Sequence, residues 1–165
     1  MTPTIFWIPG PWRGRLAIVL RPRGGDWLVD EFQGLRSAGI GVIVSLLEPP
    51  EAALMELGDE AAAAGDAGMR FLSLPIPDRG VPSSAAVAIA IAGEIEDQLK
   101  RGSNVAIHCR QSVGRAGLMA ATILTASGAD PSRAIEVVSA ARGQAVPETT
   151  EQRNWLLQLQ TRVSL

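Results

Sequence analysis

The chain has 165 residues, 47% hydrophobic and 19% charged, enough for one domain with a real core. Its net charge of −2 excludes a global basic field that would recruit nucleic acid or an anionic membrane surface. One cysteine, Cys109, excludes an internal disulfide and a cysteine-rich metal site, and no apolar stretch approaches the length of a membrane span.

Two short apolar runs, Thr4 to Ile8 and Leu16 to Leu20, flank Pro9-Gly10-Pro11 and Arg13-Gly14, a pattern that predicts two strands joined by a turn. Asp26 is a good N-cap for a helix carrying Leu28, Phe32 and Leu35 and ended by Gly39. Ile40 to Leu47 is continuously apolar, as a strand buried on both faces would be. Pro49-Pro50 stops it, and Glu51 to Ala64 predicts one helix. Met69 to Leu74 is the next strand and Pro75 to Pro82 a proline-rich loop. Val87, Ile91, Ile95 and Leu99 repeat every four residues and mark the core stripe of a helix ended at Gly102. Val105 to His108 is a further strand, and Leu118 to Ser127 is apolar all round, so its helix is central. Asp130-Pro131 opens a helix to about Arg142, and Thr149-x-x-Gln152 has the form of a capping box before a last helix.

Strands alternating with helices predict an α/β fold with a mainly parallel central sheet, residues 1–165 forming a single domain. Ligands in such sheets sit beyond the carboxyl ends of the strands. His108-Cys109-Arg110-Gln111-Ser112-Val113-Gly114-Arg115 lies there, between a buried strand and a helix N-terminus. Backbone N–H groups and the helix's positive end converge at such a junction and suit a tetrahedral oxyanion. They also favour the thiolate, the reactive form of Cys109. Arg115 adds a planar fork for two phosphate oxygens.

His-Cys-x5-Arg resembles the signature of the cysteine-dependent protein tyrosine phosphatases, and the short chain is similar to the dual-specificity branch and its small bacterial relatives. The resemblance implies a sheet of four or five strands flanked by helices. It also implies metal-independent hydrolysis of phosphate monoesters, of phosphotyrosine, phosphoserine or phosphothreonine in a protein or of a small phosphate monoester, through a phosphocysteine, with no cofactor. Cys109 is then the nucleophile, and the amides from Arg110 through Gln111, Ser112, Val113 and Gly114 to Arg115 hold the phosphate. Asp78, 31 positions before the cysteine in Pro-Ile-Pro-Asp-Arg-Gly-Val-Pro, resembles the family's catalytic acid, although aspartate is also an ordinary turn residue. Arg79 either pairs with Asp78 or touches substrate. His108 is expected to order the loop rather than to donate a proton. Gln152 either positions the hydrolytic water, as in some members, or only caps its helix. The arginines at 13, 15, 21 and 23 either receive an anionic substrate or, the favoured reading, form a solvated loop.

Two positions depart from the family pattern. Ser112 stands where a glycine is common, and Ala116 where a Ser or Thr usually stabilises the departing thiolate. They keep open a phosphate-binding pseudophosphatase, and a rhodanese-like sulfur transferase is a further alternative. A free functional thiol fits a reducing cytoplasm, and no basic segment followed by a long apolar run opens the chain, so a cytoplasmic location is expected.

Overall fold

In the computed structural model, which describes residues 2–163, five strands form one sheet in the order β1-β2-β5-β3-β4. They are β1 (Ile5–Ile8), β2 (Leu16–Val19), β3 (Val42–Ser45), β4 (Arg70–Ser73) and β5 (Val105–His108). Only the β1–β2 hairpin is antiparallel; β2, β5, β3 and β4 run parallel. The expected fold, mainly parallel with four to five strands, is the one observed.

The two-residue period of the strands sorts their side chains between two cores. On one face Leu16, Ile18, Val42, Val44, Val105 and Ile107 pack against α4 (Ala85–Lys100), α5 (Gly114–Ala126), α6 (Pro131–Arg142) and α7 (Thr150–Val163). On the other, Val19, Ile43 and Ala106 meet α1 (Leu28–Ser37) and α3 (Glu60–Asp66). Each fully buried Leu or Ile contributes about 1.5–3 kcal/mol. The helix α5 is buried from Gly114 to Thr125. Its two threonines stay satisfied because Thr122 and Thr125 donate to the carbonyls of Leu118 (2.7 Å) and Ala121 (2.8 Å).

Four expectations are adjusted. Asp26 caps no helix: it lies inside a 3-10 turn, Gly25–Trp27, and α1 follows at Leu28 with no side-chain cap. The helix expected over Glu51 to Ala64 is two, α2 (Pro49–Leu54) and α3, because Glu56 turns to φ +56° and buried Leu57 takes the connection into the core. Pro49 and Pro50 do not merely end the strand; they occupy the first turn of α2, where a missing N–H costs nothing. In α4 the buried stripe is Ala88, Ala92, Ile95 and Leu99, with Val87 51% exposed. A four-residue repeat drifts about 40° per step around a helix of 3.6 residues per turn, so Val87, three steps from Leu99, has left the core face.

The four parallel strands end on one edge. From it emerge the loop at Arg21, the turn into α2, the Asp78 loop and the Cys109 loop. Behind the last, α5 presses against the segment before α7: an ideal Cβ on Gly117 would stand 2.5 Å from Cβ of Val146. Val146 cannot retreat easily, since Ser139 Oγ accepts from its N–H (3.1 Å) and donates to its carbonyl (3.2 Å). Gly117→Ala is expected to destabilise the protein by about 1–3 kcal/mol through overpacking. Gly93→Ala, in α4 with no atom within 4 Å of the added carbon, is expected to stabilise it by up to about 1 kcal/mol. Paired thermal melts check both.

Candidate active site

Strand β5 delivers His108 and Cys109 to the sheet edge, and the chain turns through residues 109–113 before α5 begins at Gly114. Ser112 adopts φ +57°, the left-handed conformation in which glycine is usual. Its hydroxyl accepts from the Cys109 N–H at 3.4 Å. Two arginines brace the loop from outside. Arg21 donates to the Arg110 carbonyl (3.1 Å), and Arg142 donates to the carbonyls of Ser112 (2.8 Å) and Gln111 (3.5 Å). In a trans peptide the N–H points opposite to the carbonyl, so the amides of Gln111, Ser112 and Val113 turn away from these arginines. Arg142 is itself stacked over Phe6, 4.2 Å from the ring centre.

Arg115, 2% exposed, is held by a residue that the sequence reading did not single out. Glu51, in the first turn of α2, takes both terminal nitrogens: Nη1 to Oε1 at 2.6 Å and Nη2 to Oε2 at 3.0 Å. Nη1 also donates to the Ile76 carbonyl at 2.9 Å. Nη2 stands 3.3 Å from Oδ1 of Asp78. The fork read as open to phosphate is therefore already engaged, and Asp78 occupies part of its reach. The Arg115 hydrogen bond holds the Glu51 carboxyl below the ordinary carboxylate range, outweighing desolvation. Burial opposes the Arg115 charge, but hydrogen bonding to Glu51 and the charges of Cys109, Glu51 and Asp78 prevail and raise its affinity for the proton.

His108 is fully buried, with Nδ1 3.4 Å from the Cys109 carbonyl. Its Nε2 lies 2.7 Å from Oε1 of Glu60, itself 3% exposed, at an angle outside hydrogen-bond geometry, and neither atom has another partner. Glu60 was also not singled out. It starts α3, on the face of the sheet opposite α5, and its contact backs the loop at its first residue.

Cys109, Arg115, Asp78, Arg79, Arg110, Gln111, Gly114 and Glu148 line one cleft of about 130 Å³. Glu148 leans over the loop, with Cγ 3.0 Å from where a Cβ on Gly114 would stand, and pairs with Arg79 at 3.5 Å. Arg79 thus pairs with Glu148 and not with Asp78, its chain neighbour, whose carboxylate is taken by Arg115. Gln152 is fully buried away from the cleft surface; its backbone N–H donates to Thr149 Oγ1 (3.1 Å) and its Oε1 accepts from the Thr149 N–H (3.2 Å), the reciprocal capping box. Of the N-terminal arginines, Arg21 reaches the loop, while Arg15 lies over Trp7 at 3.9 Å and Arg23 over Trp27 at 4.3 Å.

Residues 19–129, which span Asp78, Cys109 and Arg115, match the family described as polymorphic toxin system, DSP-PTPase phosphatase. The chain belongs to this family. It is a cysteine-dependent phosphatase of the dual-specificity type, and the family works through a phosphocysteine intermediate. Its fold matches kinase associated phosphatase (KAP), solved with serine in place of the catalytic cysteine: TM-score 0.87, 21% identity, 99% of this chain and 97% of that one covered. Tk-PTP in its active form gives 0.80 at 29% identity, with 98% and 99% covered. PTPMT1 in complex with PI(5)P gives 0.74 at 16%, with 96% and 97% covered. No curated protein sequence matches the chain.

The lowered Glu51 pKa has a stability consequence. Its ion pair is fully formed above the ordinary carboxylate range and is lost as pH falls through the lowered folded-state value. At neutral pH, Glu51→Gln of this phosphatase is expected to melt earlier, losing about 1.5–3 kcal/mol for hydrogen bonds to a charged group. The gap between wild type and variant is expected to narrow as pH is taken from 7 to 3, which thermal melts across that range measure.

Proposed function

We propose that the chain acts as one catalytic domain that removes phosphate from phosphotyrosine, phosphoserine or phosphothreonine in proteins, with Cys109 as nucleophile and Asp78 as acid. The observation that carries this reading is the meeting of two separate segments: the Cys109 loop with its buried Arg115, and an Asp78 carboxylate 3.3 Å from that guanidinium. Loop amides and Arg115 take the phosphoryl oxygens, replacing Asp78 as a partner of Nη2. Beside a bound phosphoryl dianion, a carboxyl group is favoured in its neutral, proton-carrying form.

In the first step the Cys109 thiolate attacks phosphorus, the P–O ester bond breaks, and Asp78 gives its proton to the leaving oxygen. In the second, water attacks the phosphocysteine, its proton passes to the Asp78 carboxylate, and the P–S bond breaks to release thiolate and inorganic phosphate. His108, held between Glu60 and the Cys109 carbonyl, keeps the loop in place. No metal enters either step. Among the described residues no helix is long and apolar enough to cross a membrane. A reducing cytoplasm would keep the thiol active. The PTPMT1 structure holds PI(5)P, so a phosphoinositide belongs beside phosphopeptides in the substrate panel.

Cys109→Ser is expected to abolish turnover of p-nitrophenyl phosphate, and chelators to leave wild-type activity intact. Asp78→Asn is expected to cost about 10²–10⁴-fold on alkyl phosphates and much less on p-nitrophenyl phosphate, whose leaving group departs with little help. Loss of wild-type activity on chelation, restored by zinc or magnesium, would overturn the mechanism.

Ala116 is fully buried and brings no hydroxyl to the departing thiolate. Such a hydrogen bond is worth about 1.5–3 kcal/mol, so the second step is expected to run about 10–100-fold slower than with serine there. Stopped-flow release of p-nitrophenol is expected to show a burst that Ala116→Ser diminishes while raising steady-state turnover.

A further inference from the structure

The acid loop is not left to itself. Pro77-Asp78-Arg79-Gly80 is a closed turn: the Gly80 N–H donates to the Pro77 carbonyl at 2.8 Å, and Arg79 takes φ +62°. The outward-facing Gly80 carbonyl, two residues after Asp78, accepts from Nε2 of Gln152 at 3.0 Å. Gln152 is 0% exposed, and its Oε1 accepts from the N–H groups of Glu148 (3.1 Å) and Thr149 (3.2 Å). Two N–H donors on one side and a carbonyl on the other leave the amide only one chemically sensible orientation. Both lone pairs of its oxygen are taken, and one N–H is committed to the turn. Beside this bond, Arg79 pairs with Glu148 at 3.5 Å, a second tie between the same two segments.

Resting on the assignment of Asp78 as the acid, we propose that Gln152 is a positioning residue for Asp78: it fastens the Asp78 turn to the first turn of α7, with the Arg79–Glu148 pair as a weaker second tie. Gln152 then serves the first step, in which the leaving oxygen is protonated, and takes no part in placing water for the second. It fixes the corner of the turn that carries the acid, so the carboxyl stands over the cleft when the ester bond breaks.

Gln152→Glu separates the two roles. A carboxylate keeps the acceptors for the Glu148 and Thr149 amides, and with them the helix cap, but offers no donor to the Gly80 carbonyl. The lost hydrogen bond and the facing oxygens are expected to lower kcat/KM on an alkyl phosphate by about 3–30-fold. On p-nitrophenyl phosphate the value is expected to stay within about twofold, since little protonation is needed there. On an Asp78→Asn background, Gln152→Glu is expected to add no further loss, because the group it positions is gone. Acid-quenched protein weighed by mass spectrometry is expected to hold no more phosphocysteine than wild type. An equal loss on both esters, a full further loss on the Asp78→Asn background, or accumulation of phosphocysteine would each overturn the proposal, the last in favour of a water-placing role. Glu148→Gln is made in parallel; whatever its effect on the encounter common to both esters, the alkyl phosphate is expected to fare about 1.5–5-fold worse than p-nitrophenyl phosphate. If Gln152→Glu does not fold, that selectivity decides, and its absence counts against the proposal. A wild type that turns over neither ester, or an Asp78→Asn variant with no leaving-group dependence, would instead fell the assignment of Asp78 and this inference with it.

Discussion

The bidentate pair between Glu51 and Arg115 is the contact on which the site depends. A guanidinium with 2% exposure must be neutralised and oriented or it destabilises what surrounds it. Glu51 does both, with its two oxygens on the two terminal nitrogens, and so fixes the plane of the fork. It stands on a helix of six residues whose first two positions are proline and whose capping box joins Glu48 and Glu51. That short helix fills the edge of the sheet beyond β3, next to the loop beyond β5. The arrangement thus couples the β3–β4 crossover, which supplies the counter-charge, to the segment after the last strand, which supplies the cation.

Around this pair the loop is built from outside as much as from within. Arg21 and Arg142 hold three consecutive carbonyls from Arg110 to Ser112, and His108 rests against Glu60 below. This bracing accounts for a serine in a left-handed conformation at position 112: the neighbouring carbonyls are pinned whether or not the residue prefers that angle. The Ser112 hydroxyl returns part of that cost by accepting from the Cys109 amide.

Local pattern made much of this legible in the sequence. Alternating and continuous apolar runs placed all five strands, and His-Cys-x5-Arg between a strand and a helix placed the loop. The Asp78 turn was legible because proline, aspartate and glycine cluster there. What was not legible is carried by polar and charged side chains that reach partners far away in the chain. Glu51 is 64 positions from Arg115, Arg142 is 30 from Ser112, and Gln152 is 72 from Gly80. Glutamates at 51 and 60 read as ordinary helix-forming residues, because nothing within one turn of them shows which face meets a buried cation or imidazole. The break between α2 and α3 was hidden for a similar reason. It rests on Glu56 adopting a positive φ and Leu57 finding a core, and neither leaves a local mark.

The two bracing arginines carry a consequence beyond geometry. Five arginines, at positions 21, 79, 110, 115 and 142, line or brace the loop, against four carboxylates at 51, 60, 78 and 148. A chain with an overall charge of −2 therefore keeps a local excess of positive charge at its one cysteine. The potential that a diffusing dianion meets is set by this neighbourhood rather than by the molecule's total. The encounter is attractive at low ionic strength and progressively screened as salt shortens the reach of the field to about 8–10 Å. Arg21 and Arg142, which need never touch a substrate, thereby take part in drawing it in.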